Sequence, residues 1–335
     1  MEMNRPIIGI TIGDPCGIGP EIVVKALAQS SIYEKVKPLI IGNRGIVQRE
    51  LDRMGLGLSI HEIGNPALGR YKCGELDLIH INNIDMTIPY GRICKEAGVA
   101  SFEYIEEAVR LAVAGKVDGV ATAPINKEAI HMAGIPYIGH TEMFAGLTNT
   151  PSVLTMFHVN KMRIFFLSRH LSLAKAVEYV TYDNVLRTIL QSDTAMKLLG
   201  YDSPKIAVAA LNPHGGDNGI CGEEEINVLI PAVKTAIEQG VNAFGPVPAD
   251  SVFLLFESDK CDAVLSLYHD QGHIAAKVHD FLRTVSVTIG LPFVRTSVDH
   301  GTAMDIAGKG QASSISMEES ILVTGLYAPS LRKSL

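Results

Sequence analysis

The chain has 335 residues and a formal net charge of −7, with no cluster of Lys or Arg. Phosphate-backbone binding requires a concentrated basic surface, so nucleic acid is excluded as a partner. Hydrophobic residues make up 47% and charged residues 19%, with 6% aromatics and no Trp, which describes a well-buried globular enzyme with an aliphatic core. This length predicts one large or two medium domains, and two is the preferred reading. Five cysteines, Cys16, Cys73, Cys94, Cys221 and Cys261, are odd in number and scattered, and read as free thiols in a reducing compartment. MEMNRPIIGITIG lacks a basic segment followed by a long apolar one, and no stretch reaches membrane-spanning length, so a cytoplasmic protein with no membrane partner is expected.

Short apolar runs recur along the chain: Ile7 to Ile12, Pro38 to Ile41, Gly119 to Ala123, Ser152 to Phe157, Arg163 to Leu167, Ile206 to Leu211, Ala263 to Leu267 and Val285 to Leu291. Most are β-branched and continuous rather than alternating, which suits strands buried on both faces. Amphipathic stripes lie between them, at Gly98 to Lys116, Asp183 to Leu199 and Glu224 to Glu238. Strand and helix alternate, so the fold class is α/β with largely parallel sheets. No linker cuts the chain, and a discontinuous arrangement follows: residues 1–137 plus 292–335 form one domain and 138–291 the other.

The first run ends in ITIGDPCGIGPE, where Asp14, Gly17 and Gly19 lead into a helix starting near Pro20. This is not the GxGxxG dinucleotide fingerprint. In GHTEMFAGLT, Thr141 is a candidate helix cap, with His140 beside a helix end that attracts anions. His170 in SRHLSL, His214 in LNPHGG and His269 in SLYHDQG each follow a predicted buried strand. Three imidazoles with an open fourth position suit a catalytic divalent metal, and Asp270 and Gln271 are candidates for orienting His269. His273 is a rival ligand. His61, His80, His131, His158 and His279 read as ordinary.

Asp250 in PVPADSVF is equally a helix cap or a metal-site carboxylate. Lys277 after the HDQG loop, and Arg295 after a strand ending in GLPFV, are placed to meet an anionic substrate. In RTSVDHGTAMDIAGKG, the polar groups of Asp299, His300 and Asp305 suit a ribose or an adenine.

GDPCGIGPE, TAPINK, GHTE, LNPH, YHDQG and GLPFVRTSVDHGTAMDIAGKG occur in this order over essentially the whole chain. Together they resemble the PdxA family of NAD-dependent 4-hydroxythreonine-4-phosphate dehydrogenases. GIGPE and HGTAMDIAGKG are also similar to segments of isopropylmalate and isocitrate dehydrogenases, implying their two-domain α/β/α fold with a cleft. The resemblance implies that His170, His214 and His269 bind a divalent metal (Zn, Co, Mn, Ni or Mg) at a site completed across a homodimer. It implies that His140, Thr141, Lys277, Ser286 and Arg295 contact substrate. NAD would lie on Asp14, Gly17, Gly19, Asp299, His300, Gly301, Thr302, Asp305 and Gly308. Asp250 and Lys277 are the candidates for accepting the substrate's hydroxyl proton.

Two departures stand near the expected substrate. Ser286 replaces an Asn, and GGDNGICGEEE follows LNPH where an AGEGG-like stretch is usual. The shorter Ser286 lacks the amide. That favours the branch acting on D-threonate 4-phosphate, by oxidation at C3 and decarboxylation to dihydroxyacetone phosphate, over the 4-phosphohydroxy-L-threonine enzyme of pyridoxal 5'-phosphate biosynthesis. A more remote alternative is a non-redox metal-dependent phosphosugar-binding protein or hydrolase.

Overall fold

The computed structural model describes residues 5–334. In chain order the elements are β1 (Ile7–Thr11), α1 (Gly19–Leu27), α2 (Ser30–Lys35), β2 (Lys37–Gly42), α3 (Arg44–Met54), β3 (Ser59–Glu62), β4 (Glu75–His80), α4 (Lys95–Val113), β5 (Gly119–Thr122), α5 (Lys127–Met132), α6 (His140–Leu147), β6 (Leu154–Val159), β7 (Met162–Phe166), α7 (Leu173–Glu178), α8 (Tyr182–Leu198), β8 (Ile206–Ala209), α9 (Ile230–Glu238), β9 (Ala243–Val247), β10 (Ala263–Ser266), α10 (His269–Asp280), β11 (Val285–Ile289), β12 (Val294–Val298) and α11 (Ile315–Ser334). No helix among the described residues is long and apolar enough to cross a membrane.

The chain forms two compact units, one of the described residues up to Val153 and from Val285 on, the other Leu154–Thr284. The sequence-based division at 137 and 291 therefore assigns α6 and β11 differently. Both belong with the first unit for a packing reason: Met143 and Phe144 of α6 are buried in its core beside Phe293, and β11 pairs with β12 as a hairpin.

In the first unit the strand order is β3-β4-β2-β1-β5-β12-β11. All neighbours are parallel except β11 and β12. Ile8, Ile10, Leu39, Ile41 and Val120 are fully buried, as continuous apolar strands covered by helices on both faces require. Asn43 starts α3 by accepting from the Gly45 and Ile46 amides, and Gly55 ends it in the left-handed region. In the second unit β6 and β7 are antiparallel, while β7, β10, β8 and β9 run parallel in that order. Its core joins Phe157, Ile164, Phe166, Ala207 and Val264 with Ala276 of α10.

Four strands escape the sequence reading: β3, β4, β9 and β12. β3 is half-exposed at a sheet edge and β9 contains Gly245 and Pro246, so neither carries a continuous apolar run. β12 reads VRTSV, yet all five residues are buried. Arg295 thus lies inside a strand, and GLPF is the turn before it rather than a strand end. HDQG similarly opens α10 instead of forming a loop.

Candidate active site

In the second unit, β7, β10 and β8 are consecutive parallel neighbours. His170, His269 and His214 lie a few residues beyond their respective C-terminal ends, the edge where parallel α/β sheets hold their ligands. The strand ends are tied together. Ser168 Oγ donates to Leu267 O at 3.1 Å, linking the segments that carry His170 and His269. Gln271 accepts from the Leu267 amide at 2.8 Å and donates to Ala210 O at 2.9 Å, linking those of His269 and His214. Gln271 therefore acts on the backbone rather than on the imidazole, contrary to the sequence-based expectation.

Asp270 does meet His269, with Oδ1 2.6 Å from Nδ1. A carboxylate on one ring nitrogen leaves the other for a metal. His273 is not placed as a rival ligand. Its ring stacks on His269 at 3.6 Å between centroids, packs against Phe157 and Phe166, and has Nδ1 2.8 Å from His269 O. His269, His273 and Lys277 recur every four residues and share one stripe of α10.

His214 sits in an unusual turn. It and the next four residues, through Asn218, all have positive φ, including three non-Gly residues for which this region costs energy. Glu225, 1% exposed, holds the start of this loop: Oε1 accepts from the Leu211 and Asn212 amides at 2.8 Å, and Oε2 from the Asn212 side chain at 2.8 Å. These hydrogen bonds outweigh burial and lower its pKa. The imidazoles share an edge without closing on each other. Among the described residues no three His, Cys, Asp or Glu groups come together to hold a metal ion. The donor types and the Asp270 contact fit a divalent metal, but one chain does not assemble the set.

Asp250 is exposed and caps no helix, the following 3-10 turn beginning after Ser251 without a side-chain cap. It lines a cavity of about 610 Å³ with Tyr268, Asp270 and Gln271.

The first unit holds a second constellation. Arg295 is 2% exposed. Nη2 donates to Thr122 Oγ1 at 2.6 Å and Nη1 to Thr288 Oγ1 at 3.3 Å, while Nε has no hydrogen-bond partner. Burial pulls its pKa down to about 9, with Glu142 opposing, so the guanidinium stays charged at neutral pH. Its Cζ lies 5.4 Å from the Phe144 ring centroid, and the His140 ring centroid is 6.5 Å from the same ring. His140 Nε2 is buried with no hydrogen-bond partner. Burial, and then the field of Arg295, hold the His140 pKa well below its ordinary value, so the imidazole is neutral. Thr141 is not the cap of α6. Gly139 occupies that position, without a side-chain bond.

Alternation along the β11–β12 hairpin puts Ser286, Thr288, Arg295 and Ser297 on one face. Ser286 thus shares the face of Arg295, half-buried.

The residues expected to bind NAD divide into two groups. Asp14 is fully buried, with Oδ1 accepting from the Cys16 amide at 2.8 Å. Burial raises its pKa to about 6. A Cβ at Gly17 would stand 2.9 Å from Thr302, and one at Gly19 would stand 2.3 Å from Ile12 O. Gly17, Gly19 and buried Thr302 accordingly serve close packing, as does Gly308 against Tyr90, while Asp14 holds its own turn and keeps Oδ2 buried without a hydrogen-bond partner. His300, Gly301 and Asp305 are accessible, Asp299 is half-buried with its Oδ2 shielded from solvent, and a Cβ on Gly301 would meet nothing within 4 Å. That opening beside an imidazole and two carboxylates fits the polar half of a dinucleotide.

Residues 34–324 match the family model described as pyridoxal phosphate biosynthetic protein PdxA. A Symbiobacterium thermophilum protein named "Putative D-threonate 4-phosphate dehydrogenase" is 51% identical over 332 residues, covering 99% of each chain. A Halalkalibacterium halodurans protein of the same name is 51% identical over 327 residues, 97% of this chain and 98% of the other. Among solved structures, 4-hydroxythreonine-4-phosphate dehydrogenase from Klebsiella pneumoniae superposes with a TM-score of 0.90 at 37% identity, covering 98% of this chain and 99% of that one. The family match over most of the chain, with relatives at half identity over nearly its full length, makes this protein a member of the PdxA family.

Proposed function

We propose that the protein is a cytoplasmic, NAD- and divalent-metal-dependent decarboxylating dehydrogenase whose substrate is D-threonate 4-phosphate. The observation that carries this reading is Arg295: a charged guanidinium, 2% exposed, hydrogen-bonded only to two hydroxyls. A buried cation with no hydrogen-bonded carboxylate is costly, Glu142 offsets the burial only in part, and the remaining cost is met where a ligand anion supplies further negative charge. His140 offers that anion a neutral ring nitrogen, and Thr141 a hydroxyl in the first turn of α6.

Substrate choice rests on Ser286, which shares the Arg295 face and carries a hydroxyl where the biosynthetic enzyme has an amide, and on the names of the relatives at half identity. Oxidation would remove the C3 hydrogen with its electron pair, for which bound NAD would be the acceptor, and would give the hydroxyl proton to a base, for which Asp250 and Lys277 are the candidates. The 3-keto acid then loses its carboxyl carbon as CO2, and protonation at C2 gives dihydroxyacetone phosphate. A bound divalent metal supplies Lewis-acid stabilisation of the charge that develops on oxygen. His170, His214 and His269 would hold it, with a second copy of the chain completing the set. His300, Gly301 and Asp305 would hold the dinucleotide.

NADH formation measured side by side with D-threonate 4-phosphate, D-erythronate 4-phosphate and 4-phosphohydroxy-L-threonine tests the assignment. The highest kcat/KM is expected for the first. Preference for the amino acid moves the protein to pyridoxal 5'-phosphate biosynthesis, and no NAD binding at millimolar concentration revives the non-redox alternatives.

A further inference from the structure

The loop proposed to carry NAD is fastened to the first unit by an ion network that the reaction itself does not use. Glu21, 1% exposed, accepts from the Ala312 amide at 2.9 Å and from the Gly310 amide at 3.2 Å. Lys25 Nζ bonds Glu21 at 2.7 Å and also donates to Gly310 O and Ala312 O at 2.9 and 2.8 Å. Arg53 Nη2 then bridges Glu21, at 3.0 Å, to Glu50, at 2.6 Å. Glu50 is also 1% exposed and accepts from Tyr90 Oη.

Tyr90 returns the chain of contacts to the loop. Its ring lies under the Arg49 guanidinium at 4.0 Å and against Gly308, where φ is +75° and a Cβ would stand 2.6 Å from the ring. Only glycine allows that backbone conformation and that approach together. At the other end of the loop, Ile18 N donates to Thr302 O at 3.0 Å. The loop is thus clamped near Thr302, Gly308 and Gly310 to Ala312, leaving His300, Gly301 and Asp305 accessible between and beside the clamps.

We propose that Glu21, Arg53, Glu50 and Tyr90 are positioning residues for the dinucleotide, setting the conformation of the Thr302–Ala312 loop without touching the ligand. This rests on the reading of that loop as the NAD site. Two carboxylates removed from water beside Lys25 and Arg53 form a network in which loss of Glu21 removes the acceptor of the Gly310 and Ala312 amides and one partner each of Lys25 and Arg53, so a single change is transmitted to the loop. A clamp of this kind gives affinity by pre-ordering the site.

The test compares Glu21→Gln, Tyr90→Phe and Asp305→Ala in the full-length protein. Calorimetry gives the Kd of NAD and of inorganic phosphate separately, and hydrogen exchange reads the amides of residues 302–312. Glu21→Gln is expected to weaken NAD about tenfold, speed exchange in that loop and leave phosphate affinity and kcat at saturating NAD nearly unchanged. Tyr90→Phe, which keeps the ring and loses only the hydroxyl, should do the same to a smaller extent, and serves alone if Glu21→Gln does not fold. If Asp305→Ala weakens NAD while both clamp variants bind it normally, the positioning role is wrong and the NAD loop stands. If none of the three alters NAD affinity, the loop reading fails and the proposal with it. Parallel losses of NAD and phosphate affinity would mark a general structural role and overturn it as well.

Discussion

Arg295 and Thr122 lie on adjacent parallel strands and meet through a 2.6 Å hydrogen bond from Nη2 to Oγ1. Thr122 Oγ1 in turn donates to Thr296 O at 3.1 Å, so the acceptor that aims the guanidinium is itself held by the backbone. Removing the charge should be felt by the anionic substrate. Arg295→Ala is expected to raise substrate KM about ten- to a hundredfold while changing the KM of NAD little, since hydrogen bonds to charged groups contribute about 1.5–3 kcal/mol. Thr122→Val should give a smaller effect of the same kind. Steady-state kinetics with each ligand varied in turn checks both, and equal effects on the two KM values would show that Arg295 is misassigned.

Asp14 makes stability depend on pH in an unusual direction. Its folded pKa of about 6 lies above the ordinary value of 3.8 because burial disfavours the carboxylate. The contribution is fully present below the unfolded pKa and lost as pH rises from about 4 to 6, reaching an upper bound of about 3 kcal/mol. Asp14→Asn keeps an acceptor for the Cys16 amide and carries no charge. Its Tm should exceed that of the parent at pH 8, with the advantage gone at pH 4. Thermal scans at the two pH values decide, and an equal difference at both would remove Asp14 as the cause.

The Glu225 carboxylate works in the opposite sense. Its pKa is lowered by the amides it accepts from, so the stabilisation it provides is present above the unfolded pKa near 4.5 and lost as pH falls through the folded value. Glu225→Gln should destabilise by about 1–3 kcal/mol at pH 7, and free the turn that carries His214. Faster hydrogen exchange confined to residues 211–218 is the expected signature. Unchanged exchange there would mean the turn keeps its shape by itself.

His214→Ala should abolish metal binding and turnover with the circular dichroism spectrum intact. Asp270→Asn, which keeps the ring contact but weakens the acceptor, should lower metal affinity about ten- to a hundredfold. Titration of metal-stripped protein measures both. Full activity of the His214 variant after chelation would contradict a metal role for this edge.

Because no three metal-binding groups come together among the described residues of one chain, turnover is expected to follow the dimer. Gel filtration with activity assayed across the peaks checks this. An active monomer peak would require a ligand set within one subunit.

What the sequence determined by itself was the alternation of buried strands and amphipathic helices, and the positions of His170, His214 and His269 beyond the ends of three of those strands. These follow from local chemistry: continuous β-branched runs mark strands buried on both faces, and polar residues just after them mark the functional edge. Tertiary structure alone decided the rest. VRTSV reads as a polar loop until Thr122 and Thr288 are brought to Arg295, and Ser320 and Thr324 to Thr296, and only then is it a buried strand. The glycines of GDPCGIGPE look placed for a ligand in sequence, yet Thr302 and Ile12 fill the space where a Cβ would go. Glu21 is joined by the fold to Ala312, almost three hundred positions away, and Glu50 is buried beside Arg53 and Tyr90. Each outcome depends on groups distant along the chain arriving within hydrogen-bonding range, and spacing in sequence carries no record of that distance.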